Sequence, residues 1–274
     1  MNDKILYHYC SLKNFYNIME SRNIWLNDAM QTNDSAEMKL VISKFIRLLK
    51  DKIYLNEIDY EMFLSKFENI YNSTISNFFK PHIACFSDNG DMLNQWRGYG
   101  NNGQGVSIGF NLDYFESIKN IDSDKDFIIK RVIYSDEEQE QLLQSTVFDI
   151  LDMKDKFFNN NSMNYLSLIG ELFKLGQIFK DSSFEYEREI RLIHGNSEMA
   201  AEPDMLKYRP TEDSIISYLE IPLDLKNIDK KAISEVIIGP KCKVTQEKLR
   251  YFCLNYLELF DFDFKIKKSK STYI

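Results

Sequence analysis

The sequence is poor in the residues that build metal sites and disulfide frameworks. Its 274 residues include only three histidines and four cysteines, and these form no CxxC or HxxxH pattern. We therefore expect no metal site. Scattered cysteines of this kind fit the reduced thiols of a cytoplasmic protein best.

Long apolar runs are also absent. No window of about 18 uncharged apolar residues occurs, so we expect no membrane span. The opening residues MNDKILYHYCS hold no apolar stretch long enough for a signal peptide. A formal charge of −8 argues against general attraction to nucleic acid or anionic membranes. Four lysines near the C-terminus are a local exception, which we expect in a solvated tail: Lys265, Lys267, Lys268 and Lys270.

Common catalytic and nucleotide-binding motifs are missing as well. The run GNNGQG fits neither a phosphate-binding loop nor a dinucleotide-binding G-x-G-x-x-G. Cys85 and Ser87 are weak candidates for a nucleophile, because no G-x-S-x-G turn surrounds Ser87 and no base is evident nearby.

The chain does have the material for a large core, with 44% hydrophobic and 14% aromatic residues. Strand-like and helix-like patterns follow one another without regular strand–helix–strand alternation, which argues against a doubly wound parallel sheet. We predict one α+β domain over residues 1–274. Its core is a mainly antiparallel, split β-sheet with flanking helices, and a helical insertion lies at about residues 136–180.

Residues Pro81–Phe110 form two strand-like runs joined by a segment rich in glycine and aromatics. Six of the ten glycines lie between Gly90 and Gly109, which indicates tight turns or close backbone approach. One interpretation is a compact strand connection. The other is a ligand-facing loop in which Trp96, Arg97 and Tyr99 supply stacking and anion contacts.

The segment FEYEREIRLIH carries an unusual density of carboxylates. As a strand it would place Glu185, Glu187, Glu189 and Arg191 on one face. A solvated charged face is one interpretation. The other is functional, because neighbouring carboxylates raise one another's pKa and disfavour a strand. Carboxylates beside a ribose can stabilise an oxocarbenium-like transition state.

Two further features lie near the N-terminus. His8 lies in a short predicted strand, where it is either structural or a neutral hydrogen-bonding partner for a ribose hydroxyl. The polar run NDAMQTNDSAEM, which includes Asn27 and Glu37, is typical of a capped helix start with Asp34 or Ser35 as the N-cap.

The order of these motifs resembles a known family. YHYCS, CFS…QWRGYG…GVSIGF, YEREIRLI and EVIIGP together are similar to a widespread bacterial family catalogued as a domain of unknown function, DUF2971. More weakly, YHYCSLKNFYNIMESRNIWLN and the E-R-E triplet resemble ADP-ribosyltransferases of the histidine–tyrosine–glutamate kind.

The second resemblance implies specific roles. His8, with Tyr9 and Ser11 beside it, would hold the nicotinamide-side ribose of NAD. Glu189 would stabilise the oxocarbenium ion and Glu187 would orient the acceptor. The remaining residues that it implies for NAD binding are Trp96, Arg97, Tyr99 and Arg191.

The function implied is cleavage of the nicotinamide–ribose bond of NAD. ADP-ribose would pass to a macromolecule (nucleic acid or protein) or to water, as in a bacterial toxin or a phage-defence protein. Two alternatives stay open. One is a non-catalytic nucleotide or nucleic-acid binding module built on the QWRGYG loop, and the other is an RNA 2′-phosphotransferase-like enzyme.

Overall fold

The computed structural model describes residues 5–29, 35–52, 57–75, 81–119, 127–152, 162–194, 205–211, 214–225, 231–255 and 265–273. Its strands are β1 (Ile5–Cys10), β2 (Asn23–Asp28), β3 (His82–Ser87), β4 (Val106–Asn111), β5 (Phe127–Arg131), β6 (Glu189–His194), β7 (Lys207–Pro210), β8 (Ile215–Pro222), β9 (Ile233–Ile238) and β10 (Lys265–Lys268). Its α-helices are α1 (Leu12–Ser21), α2 (Ser35–Lys52), α3 (Glu57–Ile75), α4 (Leu93–Gly98), α5 (Leu112–Lys119), α6 (Asp136–Asp152), α7 (Ser162–Gly176) and α8 (Gln246–Asn255).

The strands form one mixed but mostly antiparallel sheet, as predicted. The order along its main path is β10-β9-β4-β1-β3-β2-β8-β7, and β6 joins β3 to β5. Among the pairs of strands in the described ranges, β10 with β9 is parallel and the others are antiparallel. No helix within these ranges is long and apolar enough to cross a membrane.

The sheet splits at β3. One edge of β3 pairs with β6 along its whole length. The other edge is shared: β1 pairs with it at Ser87 and β2 pairs with it at His82 and Ile83. The middle of β3, from Ala84 to Phe86, therefore faces a gap between β1 and β2.

Four helices form a second layer with its own core. The apolar residues of α2 recur at helical spacing, and Met38, Val41 and Phe45 are buried against residues of α3, α6 and α7. The predicted helical insertion thus corresponds to α6 and α7, which complete one helical layer together with α2 and α3.

The prediction of one continuous strand over FEYEREIRLIH is wrong. Ser182–Glu187 form a 3-10 helix, which Asp181 caps by accepting a hydrogen bond from the Ser183 amide. Arg188 then adopts a left-handed conformation with φ of 48°, and β6 begins at Glu189. The three glutamates therefore do not share one strand face.

The C-terminal lysines are more ordered than a solvated tail. Lys265–Lys268 form β10 beside β9, and the Lys267 ammonium donates to Glu235 at 2.5 Å. Of the predicted helix start, Asp34 lies outside the described residues, and α2 begins at Ser35.

Candidate active site

A cleft of about 240 Å³ opens at the split in the sheet. Residues of β1 and β2 form two walls, and the middle of β3 forms the floor. Gln95 and Tyr99 close one side, and Lys180, Glu187 and Glu189 close another. The split sheet thus brings residues from distant parts of the chain to one cavity.

His8 lies on β1 at the wall of this cleft. Its Nδ1 donates to the carbonyl oxygen of Cys85 at 3.1 Å. That carbonyl belongs to the part of β3 that neither β1 nor β2 pairs with. Burial lowers the pKa of His8, although the hydrogen bond to Cys85 opposes the shift. A neutral ring that donates through Nδ1 keeps Nε2 as an acceptor.

Arg191 organises the carboxylates beneath the cleft. Its side chain is only 1% exposed. Nε and Nη2 donate to Glu189 at 2.7 and 3.1 Å, and Nη1 and Nη2 donate to Glu37 at 2.7 and 2.9 Å. Nη1 also donates to the Gln177 carbonyl at 2.7 Å. All five N–H groups of the guanidinium are therefore used, which fixes its position.

Lys180 joins the two glutamates. Its ammonium donates to Glu187 at 2.7 Å and to Glu189 at 3.0 Å, and it lies 3.7 Å from Glu37. Because one ammonium contacts both, Glu187 and Glu189 lie close together although they belong to different elements. Arg188, which separates them, adopts a left-handed conformation.

The electrostatics of this buried network differ from the sequence-based expectation for neighbouring carboxylates. Burial alone would raise the pKa of Glu189, but Arg191 and Lys180 lower it to about 2. Burial would lower the pKa of Lys180, yet Glu189 and Glu187 raise it well above its ordinary value. Three carboxylates (with Glu37) face two cations, so the ionised network carries a net negative charge beside the cleft.

Tyr99 faces the cleft from the residue that follows α4. Its hydroxyl donates to Glu187 at 3.1 Å, and the side chain is half exposed. Burial and the nearby Glu187 raise the pKa of Tyr99, so the hydroxyl stays protonated as a donor. Gln95 also contacts Glu187, because its side-chain amide donates to the Glu187 backbone carbonyl at 3.2 Å.

Other predicted site residues lie away from this cavity. Trp96 is fully buried and donates to Asp91 at 2.7 Å, and Arg97 lies 5.4 Å from the ring centre of Tyr273. The Ser11 hydroxyl caps α1 by accepting from the Asn14 amide.

The structure therefore brings together five of the nine residues that the ADP-ribosyltransferase resemblance implies, beside Cys85. His8, Tyr9, Tyr99, Glu187 and Glu189 line the cleft. The hydroxyl of Tyr9 bonds the loop backbone, since it donates to the Asn89 carbonyl and accepts from the Met92 amide. Arg191 lies behind the cleft and positions Glu189.

Sequence reasoning missed several residues of the site. Lys180 ends a helical apolar run and carried no local signal. Trp25 lies on β2 and is one of only two tryptophans in the sequence, which could have marked it. Glu37 was explained by helix capping alone, although its partner is Arg191.

A second cavity of about 140 Å³ adjoins the first. The two cavities share His8, Trp25 and Asn27 as a common wall. Arg209 on β7 also lines the second cavity. These two adjoining cavities are together called the groove; residues of the negative network line the first cavity and Arg209 lines the second.

Residues 95–192 match the model of a family described as "Protein of unknown function (DUF2971)". This match supports the resemblance to that family over the segment that holds QWRGYG, GVSIGF and YEREIRL. The motifs near both ends of the chain lie outside it. No curated protein and no solved structure matches the chain.

Proposed function

We propose that the cleft binds NAD and that the protein cleaves its nicotinamide–ribose bond. The observation that carries the proposal is the convergence of His8, Glu187 and Glu189 on one cavity. A split sheet with a histidine on one strand and a glutamate at the start of another also supports an ADP-ribosyltransferase-like fold. Such an activity would suit a toxin or a phage-defence protein.

The roles follow from charge and geometry. The C–N bond breaks with its electron pair leaving on nicotinamide, and positive charge develops on the ribose. The negative network favours that charge, with Glu189 as the fixed carboxylate beside it. The Nε2 atom of His8 accepts a hydrogen bond from a ribose hydroxyl. Glu187 orients the acceptor, a macromolecule or water, and takes the proton that the acceptor loses.

One observation favours a second function, a non-catalytic nucleotide-binding module. Both carboxylate oxygens of Glu189 already accept hydrogen bonds from cations. In this alternative the carboxylates serve to hold Lys180 and Arg191 in place, and the half-exposed ring of Tyr99 stacks on a base.

The test is release of nicotinamide from NAD by the purified protein, with and without candidate protein and RNA acceptors. We expect Glu189→Gln to lower the rate by about 100-fold or more, because a fixed charge at the reacting centre is lost. Glu185→Gln is the matched control, since Glu185 is exposed in the adjoining 3-10 helix. Its rate should equal that of the wild-type protein.

Binding can be separated from catalysis through Cys85. Cys85 is exposed in the cleft, and the three other cysteines are buried. ADP-ribose bound in the cleft should therefore slow alkylation of Cys85. Protection without any nicotinamide release would favour the binding module. Folded protein that shows neither would rule out both functions.

A further inference from the structure

The second cavity differs from the first in charge. The first is lined by Glu187 and Glu189, with Lys180 between them. The described residues that line the second include no carboxylate, and Arg209 is its charged side chain. A ligand that spans both would therefore place its positive part at one end and its negative part at the other.

The described contacts of Arg209 are with neutral groups. Its Nη2 donates to the Asn27 side-chain oxygen at 3.1 Å, and its Cζ lies 5.9 Å from the ring centre of Trp25. Trp25 in turn stacks on Tyr218 at 4.3 Å. Across the described ranges no carboxylate forms an ion pair with Arg209. Among the residues that the structure describes, the guanidinium is oriented by neutral groups and no carboxylate neutralises its charge.

One donor of this guanidinium lacks an acceptor. Nε is buried and has no hydrogen-bond partner among the described residues. Buried polar atoms are nearly always hydrogen-bonded, so the described residues leave this guanidinium incompletely satisfied. A phosphate is the natural acceptor, because the arginine fork matches phosphate oxygens and the charge favours an anion.

Several other residues of this mixed polar and apolar cavity suit the same ligand. Asn14 and Asn17 on α1 and Asn23 on β2 line it, and side-chain amides donate to phosphate and sugar oxygens. Asn23, Trp25 and Asn27 alternate along β2 with the buried Ile24, Leu26 and Asp28, so strand geometry turns them towards the groove.

We propose that the second cavity is the phosphate subsite of the same groove, with Arg209 as the residue that binds the phosphate. The inference rests on the proposed function for the identity of the first cavity. The ligand class of the groove is then a phosphorylated nucleotide and not a neutral nucleoside or sugar. The phosphate arm would lie against Arg209, and the sugar would pass His8 on the shared wall.

Titration calorimetry at low salt with ADP, adenosine and inorganic pyrophosphate tests this. The wild-type protein should bind ADP at least about tenfold more tightly than adenosine, because a charged hydrogen bond and an ion contact are added. Arg209→Gln should remove that difference by weakening ADP binding alone. The wild-type protein should also bind pyrophosphate, and Arg209→Gln should abolish this binding. That result would show that Arg209 recognises the phosphate itself.

The matched control is Arg131→Gln. Arg131 is an exposed arginine on β5 that pairs with Asp88 at 2.9 Å and lines neither cavity. It should bind ADP as the wild-type protein does. If Arg209→Gln does not fold, Arg209→Lys keeps the charge but loses the fork. It should still weaken ADP binding relative to adenosine.

Three outcomes separate the two proposals. ADP binding that depends on Arg209 without nicotinamide release from NAD would support the subsite and reject the enzymatic function. Nicotinamide release with the same KM for NAD in the wild-type protein and in Arg209→Gln would reject the subsite and support the enzyme. Equal binding of ADP and adenosine by the wild-type protein would also overturn the subsite.

Discussion

Two segments of this protein each allowed a structural and a functional interpretation from sequence, and they differ in how their side chains are used. Residues 89–105 have the composition of a binding loop, yet Trp96 is fully buried and Arg97 packs over Tyr273. Residues 180–191 have the composition of a solvated strand face, yet Glu187 and Glu189 are buried against Lys180 and Arg191. In the first segment Trp96 serves packing while Tyr99 lines the cleft, and in the second segment the charged residues Glu187 and Glu189 line it.

The physical reason is that the loop must pass close to other backbone, whereas the buried glutamates need opposite charges nearby. Glycines in the loop allow backbone to pass close to other groups: a Cβ on Gly105 would lie 2.0 Å from the Cys10 carbonyl oxygen. Asp91 also ties the loop to the C-terminal segment, since it accepts from Ser269 and from the Lys270 amide. Buried carboxylates, in contrast, require cations.

The largest effect should come from breaking the charge network. Arg191→Met leaves Glu37 and Glu189 buried without their main cation. We expect it to lower the free energy of unfolding by about 3–5 kcal/mol, measured by urea denaturation. Arg131→Met, which removes an exposed ion pair, should cost less than about 1 kcal/mol. Similar losses in the two variants would contradict a structural role for the network.

A smaller effect concerns pH. The pKa of Glu189 falls from 4.5 to about 2 on folding, so its ionised form stabilises the protein above about pH 4.5, and this contribution disappears as the pH falls towards 2. The difference in unfolding free energy between the wild-type protein and Glu189→Gln should therefore be about 3 kcal/mol at neutral pH and shrink across that window.

The same pH series on Glu185→Gln provides the control. Glu185 is exposed, so that variant should follow the wild-type curve throughout. A gap between the wild-type protein and Glu189→Gln that stays constant from pH 7 to pH 2 would show that Glu189 is not held ionised in the fold.

The smallest effect should come from the loop. Gly105→Ala should lower the free energy of unfolding by about 1–3 kcal/mol, because the new methyl group meets backbone. Gly98→Ala is the matched control, since nothing lies within 4 Å of the added atom. Thermal or urea unfolding of the pair measures the difference, and equal stability would contradict close approach as the reason for Gly105.

The sequence by itself determined the class of fold and part of the site. Alternation and helical spacing indicated an α+β domain with a mainly antiparallel sheet, because local periodicity reflects which residues face a core. Antiparallel pairing followed from the absence of regular strand–helix–strand repeats. His8, Glu187 and Glu189 were identified from motifs, and these three residues line one cleft.

Only the tertiary structure decided how those residues are used. The split at β3 creates the cleft, and it depends on which strands share an edge. Arg191 and Glu37 meet across 154 positions, a pairing that no local pattern encodes. Arg209 likewise comes to the groove from β7. Ion pairs and cavity walls form between residues that are close in space. Which distant residues become neighbours depends on the chain topology and not on the local sequence.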